Sequence, residues 1–428
     1  MNFFYLLVLM LSLQNFIFAN SPYPDRLRDY EPPPHLPKTS RMGQQDIDIL
    51  KARCAVPPPA WMVEHVQREL APFREVPISL KGLKATYEKA NTYGDPVNTY
   101  LWRYCIVGEK IYRYGKQEDE TDLILRTLAR LADSPNVYDL PPAADFILCL
   151  IDGIPIPWEA NDYWITQNRE DQAPIMCAWK KVDAPYVITV PQREVPSIWG
   201  DLSKEIFAAN EQYPWANKIK MAFWRGHVSD IWIPDFKKST EILINNYKSR
   251  PRFLACQLSC LYPELVNAGF ALNLTPELNR ILQPVAKPFL SRAEHVRYAY
   301  LPLIDGYANA GSGGAGYEWR LASNSVVFKQ ESVHVTWFED ALKACVHYIP
   351  IHNNMDNLID QIIWARGHDE ECQKIANTAT QWVKDNLTVE DLYFYWLYLL
   401  QEYAKCQNFT VEDLEKNVAE DPNWVRIR

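Results

Sequence analysis

The chain has no C-x-x-C pair, and none of its cysteines lies beside a histidine pair at zinc spacing, so no zinc-finger pattern is written into it. It has no G-x-x-x-x-G-K-[ST], and its G-x-G-x-x-G, at Gly311 to Gly316, is read as a loop between two strands rather than between a strand and a helix, so neither a Walker loop nor a dinucleotide fingerprint is expected. It has no excess of positive charge: 44 Lys and Arg stand against 53 Asp and Glu, net −9, the wrong sign for a nucleic-acid partner. Beyond the first twenty residues no apolar run is long enough to span a membrane, and the chain ends VRIR, without a KDEL-like signal. An even cysteine count is also missing. Nine cysteines leave at least one without an intrachain partner, one or two disulfides fit an exported chain, and Cys149 reads as a core thiol.

What is present is a 428-residue chain with 48% hydrophobic and 23% charged residues, enough for two or three domains. Aromatic residues make up 13%, including 15 Trp and 24 Tyr, a composition that suits sugar-binding clefts as well as packed cores. Residues 1–19 read as a signal peptide: an apolar stretch over 3–13, then Phe18-Ala19 before Asn20. An uncleaved anchor is the alternative, for which the apolar run is short. Residues 20–59, with EPPPHLP and VPPPA, read as an extended proline-rich arm.

Residues 61–73 are spaced for a helix ended by Pro72, and 98–115 for paired strands. Residues 121–131 are helical. Residues 146–151, FILCLI, form an unbroken apolar run, as in a strand of a parallel sheet buried on both faces. Asp152-Gly153 follows, either a plain D-G turn or a carboxylate placed where open α/β sheets carry their chemistry. A strand and a Pro-bounded loop are expected over 186–200, and a strand over 218–224. The latter runs into Arg225, Gly226 and His227, read as a surface turn or as a guanidinium, an open backbone and an imidazole facing a phosphate. A helix over 238–247 and a short strand over 253–256 come next. The richest stretch is 298–350, read as strand, glycine-rich loop, strand, helix (337–342) and strand (345–351). It places Asp305, Arg320, Ser325, Lys329 and Glu331 at loop and strand ends. His347 reads as a packed core histidine. Helices over 355–363, 372–383 and 392–406 follow, and the acidic tail is unassigned. Asn273, Asn386 and Asn408 fit N-x-[ST].

This alternation of β and α supports an α/β fold. Several segments in order carry something more specific: RELAPF at 68–73, FILCLIDGIP at 146–155, FWRGH at 223–227, YAYLPLIDG at 298–306, WRLASNSVVFKQES at 319–332 and LKACVHYIPI at 342–351. From about 61 to 406 the chain resembles glycosyltransferase family 90, the protein O-glucosyltransferases with their Rumi-like, capsule-associated-protein-like and lipopolysaccharide-modifying relatives. The resemblance implies a GT-B fold: two Rossmann-like domains facing a cleft, with C-terminal helices crossing back. The corresponding divisions are 60–212 for the acceptor side, 213–375 for the nucleotide-sugar side and 376–428 for the closing helices.

It further implies an inverting transferase, without a cofactor or metal, that moves glucose or xylose from a UDP-sugar to a protein Ser or to a glycan or lipopolysaccharide hydroxyl. Asp152 falls on the family's general base and Arg320 on its diphosphate anchor, with the backbone of Ala315, Gly316 and Trp319 beside it. Arg225, Gly226, His227, Ser325, Lys329 and Glu331 complete the donor-side set. The implied setting is export, to the endoplasmic reticulum lumen or secretory pathway or to a bacterial periplasm, as a monomer with a UDP-sugar donor and a protein or glycan acceptor. Four departures stand out: a glycine-rich insert after Asp305, His227 where relatives carry Ser or Ala, Cys345 where Trp is common, and only Lys237 and Lys238 where animal members carry a second diphosphate arginine. The alternative is a relative of this fold that binds a glycan or nucleotide without turning it over.

Overall fold

A computed structural model describes residues 43–93, 101–115, 119–131, 138–149, 172–192, 195–226, 248, 250–271, 280, 282–306 and 316–428. The signal-peptide segment, the first half of the proline-rich arm and the helix expected over 238–247 lie outside these residues.

The first half opens with α1 (Gln44–Cys54), α2 (Ala60–Glu75) and α3 (Leu80–Tyr93). β1 (Leu101–Val107) and β2 (Lys110–Tyr114) form the expected hairpin, and α4 (Glu120–Leu128) follows. β3 (Ala143–Cys149), β4 (Ile175–Cys177), β5 (Trp179–Lys181), β6 (Val187–Thr189) and α5 (Val195–Gln212) complete this half. The second half contains β7 (Ile219–Gly226), α6 (Pro251–Leu261), β8 (Val266–Phe270), α7 (Arg292–His295), β9 (Tyr298–Leu303), α8 (Gly316–Ala322), β10 (Val326–Gln330), β11 (His334–Thr336) and β12 (Ile349–Ile351). Helices α9 (Leu358–Gly367), α10 (Asp369–Asn386), α11 (Val389–Ala404) and α12 (Val411–Glu420) and strand β13 (Trp424–Arg426) close the chain.

The second sheet runs β12-β10-β9-β7-β8, and every pairing in it is parallel. Its residues alternate between two cores. Val326 and Phe328 face α6, α9 and the start of α10, while Val327, Leu301 and Leu303 join the core shared with the first half. The first sheet, β13-β2-β1-β3-β4-β6, is mixed: β3, β4 and β6 are parallel, but β1, β2 and β13 are antiparallel. This half therefore departs from an all-parallel Rossmann layer, because a hairpin and the chain's own tail supply three of its strands.

α11 is buried on nearly every side and packs on α1, α2, α5 and β3 of the first half. The tail left unassigned from sequence forms α12, capped by a Thr410–Asp413 box, and then β13 at the edge of the first sheet.

Several expectations are corrected. Residues 253–256 lie in helix α6, which Pro251 starts at its first turn and which turns Phe253, Cys256 and Ser259 inward. The apolar run was too short to separate a strand from a helix. Residues 195–200 open an 18-residue helix rather than a loop; Pro196 is tolerated in its first turn. Residues 337–342 hold only a single 3₁₀ turn, and the last strand shrinks to three residues after Cys345, which sits at φ 59°. Pro72 lies inside α2, which runs on to Glu75. All nine cysteines are thiols, so no intrachain disulfide forms. His347 is, as expected, a packed histidine; its Nδ1 accepts the Lys343 amide at 2.9 Å.

The first half is centred on a buried ion pair between β1 and β3. Arg103 donates from Nε and Nη2 to Asp145 at 2.8 and 2.6 Å, with Asp145 fully enclosed and Arg103 5% exposed. Removing one partner strands a buried charge. We expect Asp145→Ala to lower unfolding stability by about 3–5 kcal/mol in urea titration, and exchange of both residues for apolar ones to cost much less.

Candidate active site

In a parallel sheet all carboxyl ends lie at one edge, and ligands bind where successive crossovers leave in opposite directions. Here β7 leads outward to β8 on one side, and β9, β10 and β12 follow on the other. The switch point is the pair β7/β9, and the residues at their ends are Arg225 and Asp305.

Arg225 is already engaged. Its Nε donates to the Pro288 carbonyl at 3.0 Å, Nη1 to the Trp224 and Asn267 carbonyls at 2.8 Å each, and Nη2 to Asn267 Oδ1 at 3.0 Å. Four of its five N–H groups thus tie the ends of β7 and β8 together. Gly226 has a packing reason as well: a Cβ there would lie 2.5 Å from Trp224 Cζ2. His227 lies outside the described residues.

Arg320 is placed by α8. Its Nη1 donates to the Gly316 carbonyl at 2.7 Å and its guanidinium lies 4.4 Å from the Trp319 ring centre. Trp319 is held in turn by the edge of His295, with ring centres 5.5 Å apart. The charges Arg320 feels most are those of two more arginines, Arg252 and Arg292, and burial with these neighbours pushes it down to about 9. It still carries its charge at neutral pH, in a place where no carboxylate among the described residues offsets it. His295 is pushed down to about 4, mainly by burial and also by Arg320, Arg225 and Arg292, so its imidazole is neutral.

The sequence reading missed Arg252 and Arg292. Arg252 sits in the first turn of α6 and donates from Nη2 to the Ile304 carbonyl at 3.3 Å, one residue before Asp305. Arg292 opens α7 behind the Ser291–Glu294 capping box, whose S-x-x-E pattern is legible in the sequence. Neither arginine carries a pattern that reveals its partners; only the crossover packing does.

Other predicted site residues have local duties. Ser325 is buried and donates to the Tyr298 carbonyl at 2.7 Å. Lys329 pairs with Glu339 at 2.7 Å within the fold. Glu331 is exposed beyond β10, and its amide donates to the Ile351 carbonyl at 2.8 Å. Asp152, Ala315, Lys237 and Lys238 lie outside the described residues, which on the β3 side run to Cys149.

Glu318 adds a titratable group to the same helix. It is 7% exposed, and burial pushes its carboxyl up to about 7, against the pull of the Glu318 and Tyr317 amides and Arg292.

Guanidinium groups gathered at the switch point of a parallel sheet are the class of arrangement that holds phosphorylated ligands. The comparisons agree in kind. The model of glycosyl transferase family 90 matches residues 59–421, and the chain belongs to that family. It is 28% identical over 195 residues to protein O-glucosyltransferase 2 of Danio rerio, covering 45% of this chain and 34% of that one. It is 30% identical over 199 residues to protein O-glucosyltransferase 3 of Homo sapiens, with shares of 45% and 34%. It is 25% identical over 217 residues to human protein O-glucosyltransferase 1, with shares of 50% and 49%. The chain thus spans about a third to a half of the curated relatives it matches.

Two outcomes follow. Arg320→Ala should weaken pyrophosphate binding about tenfold or more in calorimetry, whereas Lys329→Met, which strands Glu339, should lower the unfolding midpoint and leave pyrophosphate affinity nearly unchanged. Glu318 has a folded value near 7, above its ordinary 4.5, so its stabilisation is complete below about 4.5 and is lost as pH rises through 7. Glu318→Gln cannot ionise, so its thermal midpoint should gain on the wild type between pH 5 and pH 8.

Proposed function

We propose that the protein is an inverting glycosyltransferase of GT-B arrangement that takes glucose or xylose from a UDP-sugar and places it on a protein Ser hydroxyl, with a glycan or lipopolysaccharide hydroxyl as the other acceptor class. The observation that carries this reading is the half-buried, uncompensated charge of Arg320 beside Arg252 at the β7/β9 switch point, in a chain of this family. The printed names of the relatives, protein O-glucosyltransferases, support glucose and a protein acceptor.

In this mechanism Arg320 and Arg252 hold the donor diphosphate. Arg252 takes the place of the second arginine that the sequence comparison sought near Lys237 and Lys238, and Arg225 serves as the brace that fixes β7 to β8. Asp152, past the end of β3 in the other half, accepts the proton of the acceptor hydroxyl. The hydroxyl oxygen forms its bond to the anomeric carbon as the bond to the β-phosphate oxygen breaks, and UDP departs with that electron pair. Negative charge grows on the phosphate oxygen during this step. Fixed guanidiniums therefore help the transition state more than the ground state. The configuration inverts because attack and departure occur on opposite faces. Export through a cleaved N-terminal signal belongs to the same proposal. Among the described residues no helix is long and apolar enough to cross a membrane.

The test is release of UDP from a panel of UDP-sugars, with and without an acceptor peptide. UDP-glucose or UDP-xylose should be consumed. Asp152→Asn should lower the rate by about 10²-fold or more with UDP affinity kept. A protein that binds UDP but consumes none of the panel would instead fit a binding-only relative.

A further inference from the structure

Where the two sheets approach each other, one cluster of polar and aromatic side chains has no part in the scheme above. It lies on β5 and β11, which pair antiparallel and join the halves: His334 opposite Lys181, Val335 opposite Lys180, Thr336 opposite Trp179. β5 begins two residues past the carboxyl end of β4, and β11 begins four residues past the carboxyl end of β10. The ladder therefore lies at the functional edge of both sheets.

Its diagonal pair, Trp179 and His334, stands on one face with ring centres 4.7 Å apart, edge to face. The indole N–H of Trp179 makes no hydrogen bond. His334 Nδ1 lies 3.9 Å from Asp305 Oδ2, and Ser332 Oγ donates to that same carboxylate oxygen. Asp305 follows β9, the central strand of the parallel sheet, and its amide donates to Gln330 Oε1 at 2.7 Å. Ser332 Oγ also accepts the His334 amide at 3.0 Å. Ser332 thus holds the carboxylate and Gln330 the backbone of the same residue, while the Asp305 side chain keeps 16% exposure. Beside it, Val182 and Val333 are 67% and 55% exposed and joined through a Val182 N–H to Val333 carbonyl bond of 2.9 Å. An aromatic edge, a fixed carboxylate, an imidazole and an apolar rim together make the chemistry that recognises a pyranose.

The place relative to the anion site says which pyranose. Arg252 holds the Ile304 carbonyl, and the next residue is Asp305. A sugar linked to a diphosphate held by Arg252 would then lie one residue from that carboxylate. We propose that Asp305, Ser332, His334 and Trp179 form the subsite that reads the hydroxyls of the transferred sugar. This inference rests on the donor assignment made above. Asp305 accepts from one or two ring hydroxyls, Ser332 keeps it oriented, and His334 and Trp179 bound the space open to the ring. Residues from both halves touch the same sugar, so its presence also ties the two halves together.

Calorimetry with UDP and with UDP-glucose, in parallel, separates the sugar contacts from the diphosphate contacts. Asp305→Asn should weaken UDP-glucose binding about tenfold and leave UDP binding within about twofold. His334→Ala should act in the same sense. Ser332→Ala is the milder variant, expected to show a smaller selective loss with an unchanged unfolding midpoint. Unchanged UDP-glucose affinity in Asp305→Asn and Ser332→Ala overturns the subsite, and so does an equal loss for both ligands. If the wild type binds neither ligand, the donor assignment itself fails.

Discussion

Parallel pairing of all five strands in the second sheet is the constraint from which the rest follows. It forces every connection to cross over a face, and it delivers every carboxyl end to one edge. Arg225, Asp305, Gln330 and Glu331 reach that edge for this reason alone. The crossovers set the remaining positions. α6 carries Arg252 from the β7 side to the carbonyl before Asp305, and α8 carries Arg320 from the β9 side. Residues nearly seventy positions apart in sequence meet because the strands between them all run the same way. An arginine half-buried among arginines is costly for the empty protein and favourable once an anion arrives, which is why such a cluster points to a ligand rather than to stability.

The first half is built differently and is held differently. A buried Arg103–Asp145 pair, a hairpin and the chain's own tail make its sheet, and α11 returns to fill its core. Contacts between the two halves include a strand pair, a polar network and an aromatic cluster. β5 pairs with β11. Asp340 takes hydrogen bonds from Arg68 and, at 3.0 Å, from His65, itself 3.1 Å from Thr189 at the end of β6. An aromatic cluster of Trp61, Trp337, Trp382 and Tyr395 lies alongside, with ring centres 4.5–5.8 Å apart. Phe146 and Ile147 of β3 and Trp319 and Leu321 of α8 belong to one continuous core.

Much of this was legible in the sequence. The run FILCLI announced a buried strand, and the strand expected after the glycine-rich loop is β10. The N-caps at Ser291, Thr388 and Thr410 follow from S/T-x-x-[DE]. The failures have physical causes. Phe253, Leu254, Ala255 and Cys256 form a short apolar run that fits either period, and only the proline before it marks a helix. α8 begins inside a glycine-rich stretch and is seven residues long, too short for periodicity to show. At the site, sequence identified Arg320 because the family motif marks it. It could not tell that Arg225 and Lys329 are engaged within the fold, since Asn267, Pro288 and Glu339 are remote in sequence. Arg252 was missed for the complementary reason: its importance is its distance to another arginine.

The central claim is that Arg320 and Arg252, not Arg225, receive the donor diphosphate. A crystal structure with UDP bound tests it most directly. The account predicts both phosphates within hydrogen-bond reach of Arg320 and Arg252, with the bonds from Arg225 to Asn267 and Pro288 intact. Phosphates seated on an Arg225 released from those partners, with Arg320 out of reach, would contradict it.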